Sequence, residues 1–232
     1  MTLGNLQIEP LLRLGPLDIT ETVVTTWVIM ALIWLGAWLL SRHLRDQPGP
    51  LQTAVEGLVA LIDDAITEVA PQQGRHILPF IGSLWVFLVI ANLSGLIPGL
   101  HAPTRDLSAT AALAFLVFLS THWYGIRLQG WKRYLRHYLS PSPILLPFHL
   151  ISEVTRTVAL AVRLFGNIMS LEMAALLILL VAGFLAPVPI LMLHIVEALV
   201  QAYIFGMLAL IYVAGAIQSQ QLRQPEQGES HA

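Results

Sequence analysis

The sequence predicts an all-α integral membrane protein: about five membrane-crossing helices plus one surface amphipathic helix, the last two crossings forming a long tilted hairpin. Three observations carry this. Hydrophobic residues make up 56 % of the 232-residue chain and charged residues 11 %, against about 25 % charged in soluble domains. Apolar runs long enough to cross a hydrocarbon core of about 30 Å recur along the chain. One further segment has its apolar residues at helical spacing but is interrupted by acids, as in a helix lying on a membrane.

Composition also excludes several functions. The formal net charge of −2 gives no electrostatic footprint for nucleic acid. The absence of cysteine removes disulfides, thiolate catalysis and Cys-ligated metals. No cofactor is expected. The first twenty residues lack a basic region followed by an apolar core, so the first span is expected to act as its own insertion signal.

Residues 1–20 read as an external N-terminal segment, 21–218 as a single membrane domain and 219–232 as a cytoplasmic tail. The first span, about 22–40, is TVVTTWVIMALIWLGAWLL, and it stops at SRHLRDQPGP with Arg42, Arg45 and a Pro-Gly-Pro break. In 51–70, Leu51, Val55, Leu58, Leu61, Ile62 and Ile66 form an apolar stripe, while Glu56, Asp63, Asp64 and Glu68 interrupt the run. That acidic face reads as solvated. Two spans follow, about 78–98 and about 107–126, joined by GLHAPTRD. A basic stretch, RLQGWKRYLRHY, and a Pro-rich lead-in at 141–147 come next. Two apolar helices, about 146–184 and 189–218, are joined by LAPVP. Each exceeds the ~20 residues a crossing needs, so they must tilt or extend beyond the bilayer.

Basic residues stay cytoplasmic. Arg42 and Arg45 fall on the same side as Arg127, Lys132, Arg133 and Arg136, and only Arg105, beside Asp106, lies opposite. The N-terminus is therefore expected outside and the C-terminus inside. Trp27, Trp34, Trp38, Trp123 and Trp131 read as interfacial anchors.

The last two helices hold the unusual chemistry. Glu153, Arg156, Arg163, Asn167 and Glu172 lie on the first, and His194, Glu197 and Gln201 on the second. A charge at mid-bilayer costs from about 2.5 to above 10 kcal/mol. Such groups should face protein or water. At about 100° per residue, Arg156, Arg163 and Asn167 share a face and Glu172 points the opposite way. His194, Glu197 and Gln201 cluster, and Glu172 is expected to meet them across the hairpin. Glu153 is expected to pair with Arg156 at i+3. Arg156 otherwise reads as a snorkelling anchor.

Carboxylates and an imidazole lined up in a membrane suggest a proton or cation path. Arginine cannot relay protons, because it keeps its charge. It suits a fixed positive charge that attracts a carboxylate. Arg163 has no acid at i±3 or i±4, so its partner is expected on another helix or another subunit.

Here the residues resemble a known family. Arg163-Leu164-Phe165-Gly166-Asn167 is similar to the signature of subunit a of F-type ATP synthases, and His194 to Phe205 to that family's last helix. PFIGSLWVFLVIANLSGLIPG and ISEVTR resemble its second span and the start of its penultimate helix. The likeness runs over about residues 20–218. It implies a stator beside a rotating ring of c subunits, with two offset ion half-channels and the ring-facing hairpin at about 146–218. The implied partners are the c-subunit ring, the b-subunit peripheral stalk, other ATP synthase subunits, H+ or Na+, and the lipid of a bacterial inner membrane.

The resemblance makes Arg163 the essential charge facing the ring, with Asn167 and Gln201 in the same contact zone. It makes Glu172, His194 and Glu197 relay groups of a half-channel, with Glu153 and Arg156 secondary. It implies no catalytic residue and no metal site in this chain. Thr157 stands where many relatives have proline, the N-terminal segment is short, and His194 occurs together with Glu197. These departures resemble the sodium-associated N-ATPase subfamily. Ion choice rests mainly on the c subunit and stays open between H+ and Na+. The alternative is a self-contained secondary transporter or channel, which should show an internal repeat or broken helices; neither is present. An intramembrane hydrolase would need a motif such as G-x-S-x-G or H-E-x-x-H, and the chain has neither.

Overall fold

The structure, a computed structural model, describes residues 12–14, 17–42, 44, 49–71, 73–97, 100–130, 146–182 and 188–218. Among these, six α-helices follow in order: α1 (Glu21–Arg42), α2 (Pro50–Val69), α3 (Gly74–Ser94), α4 (Leu107–Gln129), α5 (Leu146–Ala182) and α6 (Val188–Gln218). A 3₁₀ turn, Pro103–Arg105, precedes α4. All but α2 are long and apolar enough to cross a membrane. Outside the helices, β1 (Leu12–Leu14) and β2 (Leu17–Ile19) form a short antiparallel hairpin in the N-terminal segment. The basic residues Arg45, Lys132, Arg133 and Arg136, the anchor Trp131, most of LAPVP and the tail from Ser219 lie outside the described residues.

Local chemistry sets the helix ends. Pro50 begins α2 behind Gly49, where proline's missing N–H costs nothing. Asp106 caps α4 by accepting from Ser108 N at 2.9 Å. Gly130 ends α4 with φ +83°, donating its N–H to the Ile126 carbonyl at 2.8 Å. That left-handed conformation favours glycine. Within α4, Thr110, Ser120 and Thr121 turn their hydroxyls back onto helix carbonyls, which satisfies them without water.

α1 presents Trp27, Leu32 and Trp34 outward and buries only Thr25 and Ile29, as a lipid-facing helix should. Near its C-terminal end Trp34 stacks on Trp38, and Arg42 lies 4.1 Å above the Trp38 ring. α2 lays Ile62 and Ile66 against α3 and leaves Glu56, Asp64 and Glu68 exposed.

The core forms where α3 meets α6. Lipid gives no hydrophobic drive between helices, so close packing and hydrogen bonds must hold them. The buried small residues Ala198, Ala202 and Gly206 on α6 let α3 approach. Trp85 lies directly over Gly206, where any Cβ would strike its indole ring. The same indole N–H donates to the Tyr203 carbonyl at 3.4 Å, and the ring stacks on Tyr203. Seven residues later, Asn92 Nδ2 donates to the Ala198 carbonyl at 3.1 Å. The rising numbers on α3 against falling numbers on α6 make the pair antiparallel. Of the chain's six tryptophans, Trp85 is the one the anchor reading did not cover, and it is the one in the core.

Gly206→Ala is expected to destabilise the protein by about 1–3 kcal/mol through overpacking, read as a lower thermal midpoint in detergent. Gly36→Ala, where a Cβ meets nothing within 4 Å, should stay within about 0.5 kcal/mol of the parent.

Candidate functional site

α5 and α6, of 37 and 31 residues, run antiparallel and share one register. Asn167 Nδ2 donates to Gln201 Oε1 at 2.6 Å. Eleven residues back along α5, the Arg156 guanidinium lies 5.0 Å over the ring of Tyr212, eleven residues forward along α6. On this register Glu172 is level with Val196, which sets His194 and Glu197 at its depth.

The arginine face is the exposed one. Leu160, Ala161, Leu164 and Ile168 are the buried side of α5. Arg163 is exposed beside Val162, Val158 and Val154, which are also exposed. Among the described residues Arg163 has no hydrogen bond or ion pair. Asn167, one turn on, is half-buried and reaches inward to Gln201. A permanent positive charge thus stands among exposed valines.

Behind that face runs a line of buried polar groups. Gln201 is 1 % exposed, His194 4 % and Asn92 0 %. Gln201 Nε2, His194 Nε2 and Asn92 Oδ1 are buried with no hydrogen-bond partner among the described residues. Burying such atoms unpaired costs about 1–3 kcal/mol each. Polar lines of this kind are where water or ions are held in proteins. Glu197 is half-buried on the same helix.

Glu172 lies on the inward side of α5, but its carboxylate does not turn to this cluster. Arg105, in the 3₁₀ turn, donates to Glu172 Oε2 at 3.1 Å. The opposite orientation of Arg163 and Glu172 follows helical phase; the loop arginine intercepts the carboxylate. Glu153 is also placed differently from its expected i+3 pairing. Its Oε2 lies 3.3 Å from His122 Nε2 on α4, while Arg156 turns to Tyr212. Between α4, α5 and α6 a cavity of about 20 Å³, lined in part by Thr121, Glu153, Arg156 and Tyr212, is large enough for about one water.

Sequence reasoning passed over three residues that the fold brings to the site. Asn92 carried a readable signal, a polar residue inside the apolar run IANLSG. Arg105 lies in a loop, where polar residues are ordinary, while His122 lies about two turns inside α4. Their partners are 67 and 31 positions away in the chain, so only packing reveals them.

Residues 23–214 match the family described as ATP synthase A chain. The chain is 65 % identical over 221 residues to "ATP synthase subunit a 2" of Pelobacter propionicus, covering 95 % of this chain and 97 % of that protein. It is 68 % identical over 207 residues to "ATP synthase subunit a 1" of Hahella chejuensis, covering 89 % and 88 %. It is 56 % identical over 218 residues to "ATP synthase subunit a" of Legionella pneumophila, covering 94 % of each.

A double-mutant cycle of Asn167→Ala and Gln201→Ala is expected to give a coupling of about 0.6 kcal/mol and at most about 1.7, the mean and maximum measured for interhelical hydrogen bonds in a membrane protein. Additive losses of thermal stability would show that the two side chains do not act together.

Proposed function

This chain belongs to the ATP synthase A chain family, and on that premise we propose that it is the stator subunit of the membrane sector of a rotary F-type ATP synthase. The observation that carries the mechanism is Arg163: exposed among valines and without a partner among the described residues. A guanidinium keeps its charge at any physiological pH. In hydrocarbon it needs a compensating anion. A ring of c subunits, each bringing one carboxylate past this face, supplies it repeatedly.

The mechanism follows from charge. An arriving carboxylate carries its ion as a neutral pair. Beside Arg163 the ionised carboxylate is favoured, so the ion leaves. The same fixed charge repels cations and prevents direct passage between the two half-channels. Asn167 and Gln201, joined behind Arg163, hold that part of the hairpin in place. Glu172, His194 and Glu197, at one depth, line one half-channel. The cavity beside Glu153 and Arg156 lies toward the opposite end of α5 and belongs to the other. The transported ion is H+ or Na+.

This chain performs no catalysis alone in the proposed role; it moves ions for the complex. Arg42 and Arg127 end α1 and α4 on the side assigned to the cytoplasm, in a bacterial inner membrane with the N-terminus outside. The Arg105–Glu172 end of α5 is then the external end. The exposed acids of α2 suit contact with the b-subunit stalk.

Arg163→Ala is expected to abolish ATP-driven ion pumping in inverted vesicles while the complex still assembles; pumping at the parent rate would refute the stator role. Glu172→Gln and His194→Ala are each expected to slow transport in the assembled complex. A parent rate in either variant would take that residue out of the path.

A further inference from the structure

Arg105 has no role in the mechanism above, yet it is the group that holds Glu172. Its Nη1 donates twice, to Glu172 Oε2 at 3.1 Å and to His101 Nδ1 at 3.0 Å. The nitrogen's two N–H bonds are therefore both committed. The Glu172 side chain is 15 % exposed and that of Arg105 36 %. One end of the contact is enclosed and the other is partly exposed.

The surrounding loop is built around this pair. The 3₁₀ turn carrying Arg105 packs on α1, α3, α4 and α5. Ala102, Pro103 and Thr104 are buried. A Cβ at Gly95 would stand 3.0 Å from Ala102 Cβ and 3.5 Å from Glu172 Oε1, so the absent side chain leaves the second carboxylate oxygen room. Asp106, the neighbouring acid, is occupied in capping α4 through Ser108 N. The Glu172 carboxylate thus meets one strong cation, held in place by an imidazole.

Resting on the half-channel role proposed for Glu172, we propose that Arg105 is a positioning residue for ion passage at the external end. It fixes the Glu172 carboxylate and imposes a charge that each passing cation must displace. The paired carboxylate and guanidinium are together neutral. A cation that binds Glu172 leaves the guanidinium charge uncompensated beside it. The bound ion is therefore held briefly and passes on. Without Arg105, Glu172 is free to reorient and retains the cation longer, so transport slows.

The test uses the assembled complex in inverted vesicles, with ATP-driven ion uptake as the readout. R105Q is expected to lower the rate by about fivefold, the upper end for a partly exposed ion pair, with ATP synthase content unchanged on immunoblots. R105K, which keeps the charge but not the two-hydrogen fork, should recover most of the rate. In an E172Q background, R105Q should have no further effect, because its partner is gone. A parent rate in R105Q, a rate in R105K as low as in R105Q, or losses that multiply in the double variant would each overturn the proposal. So would failure of both R105Q and R105K to assemble, which would make the pair a structural fastening. Arg163→Ala in parallel separates the two readings: if it is inactive while R105Q pumps normally, only the role of Arg105 falls.

Discussion

The register of α5 against α6, fixed where Asn167 meets Gln201, decides where every other polar group in the hairpin lies. Arg156 over Tyr212 lies on the same register. Shifting the pair by one residue would rotate one face by about 100° relative to its partner. Arg163 would then leave the exposed face, and the depth shared by Glu172, His194 and Glu197 would be lost. That hydrogen bond between uncharged amides shares its register with Arg156 over Tyr212, and the charges of the hairpin lie at depths consistent with both. The bilayer makes this effective, because an amide without a partner has no water to turn to.

Two contacts at opposite ends of α5 hold it to the rest of the bundle. Arg105 meets Glu172 just before α4, and His122 meets Glu153 near its other end. Nineteen residues separate the two acids on α5, about 28 Å along a helix. That is close to the thickness of a hydrocarbon core, about 30 Å. Between them α5 buries Leu160, Leu164 and Ile168 and turns Arg163 outward. The ends are fastened by polar side-chain contacts and the middle by apolar packing. The face that carries Arg163 is left exposed.

The α3–α6 contact supports this arrangement from behind. Trp85 over Gly206 brings the helices close, and Asn92 reaches the Ala198 carbonyl. Gln201 and Asn92 are thereby enclosed within the protein. A buried polar line needs such a wall, since lipid would otherwise meet it.

The sequence by itself determined the membrane class, the five long helices, the amphipathic α2 and the phase that turns Arg163 and Glu172 apart. These depend on composition and on helical period, both of which are local. It also marked Asn167 and Gln201 as neighbours, through a motif. Only the tertiary structure decided partners. Glu153 chose His122 over Arg156, Glu172 chose Arg105 over the α6 cluster, and Trp85 packed into the core against Tyr203 and Gly206. Each choice depends on which helices lie side by side and how closely their backbones approach. That is a property of packing between residues far apart in the chain, which no local period encodes.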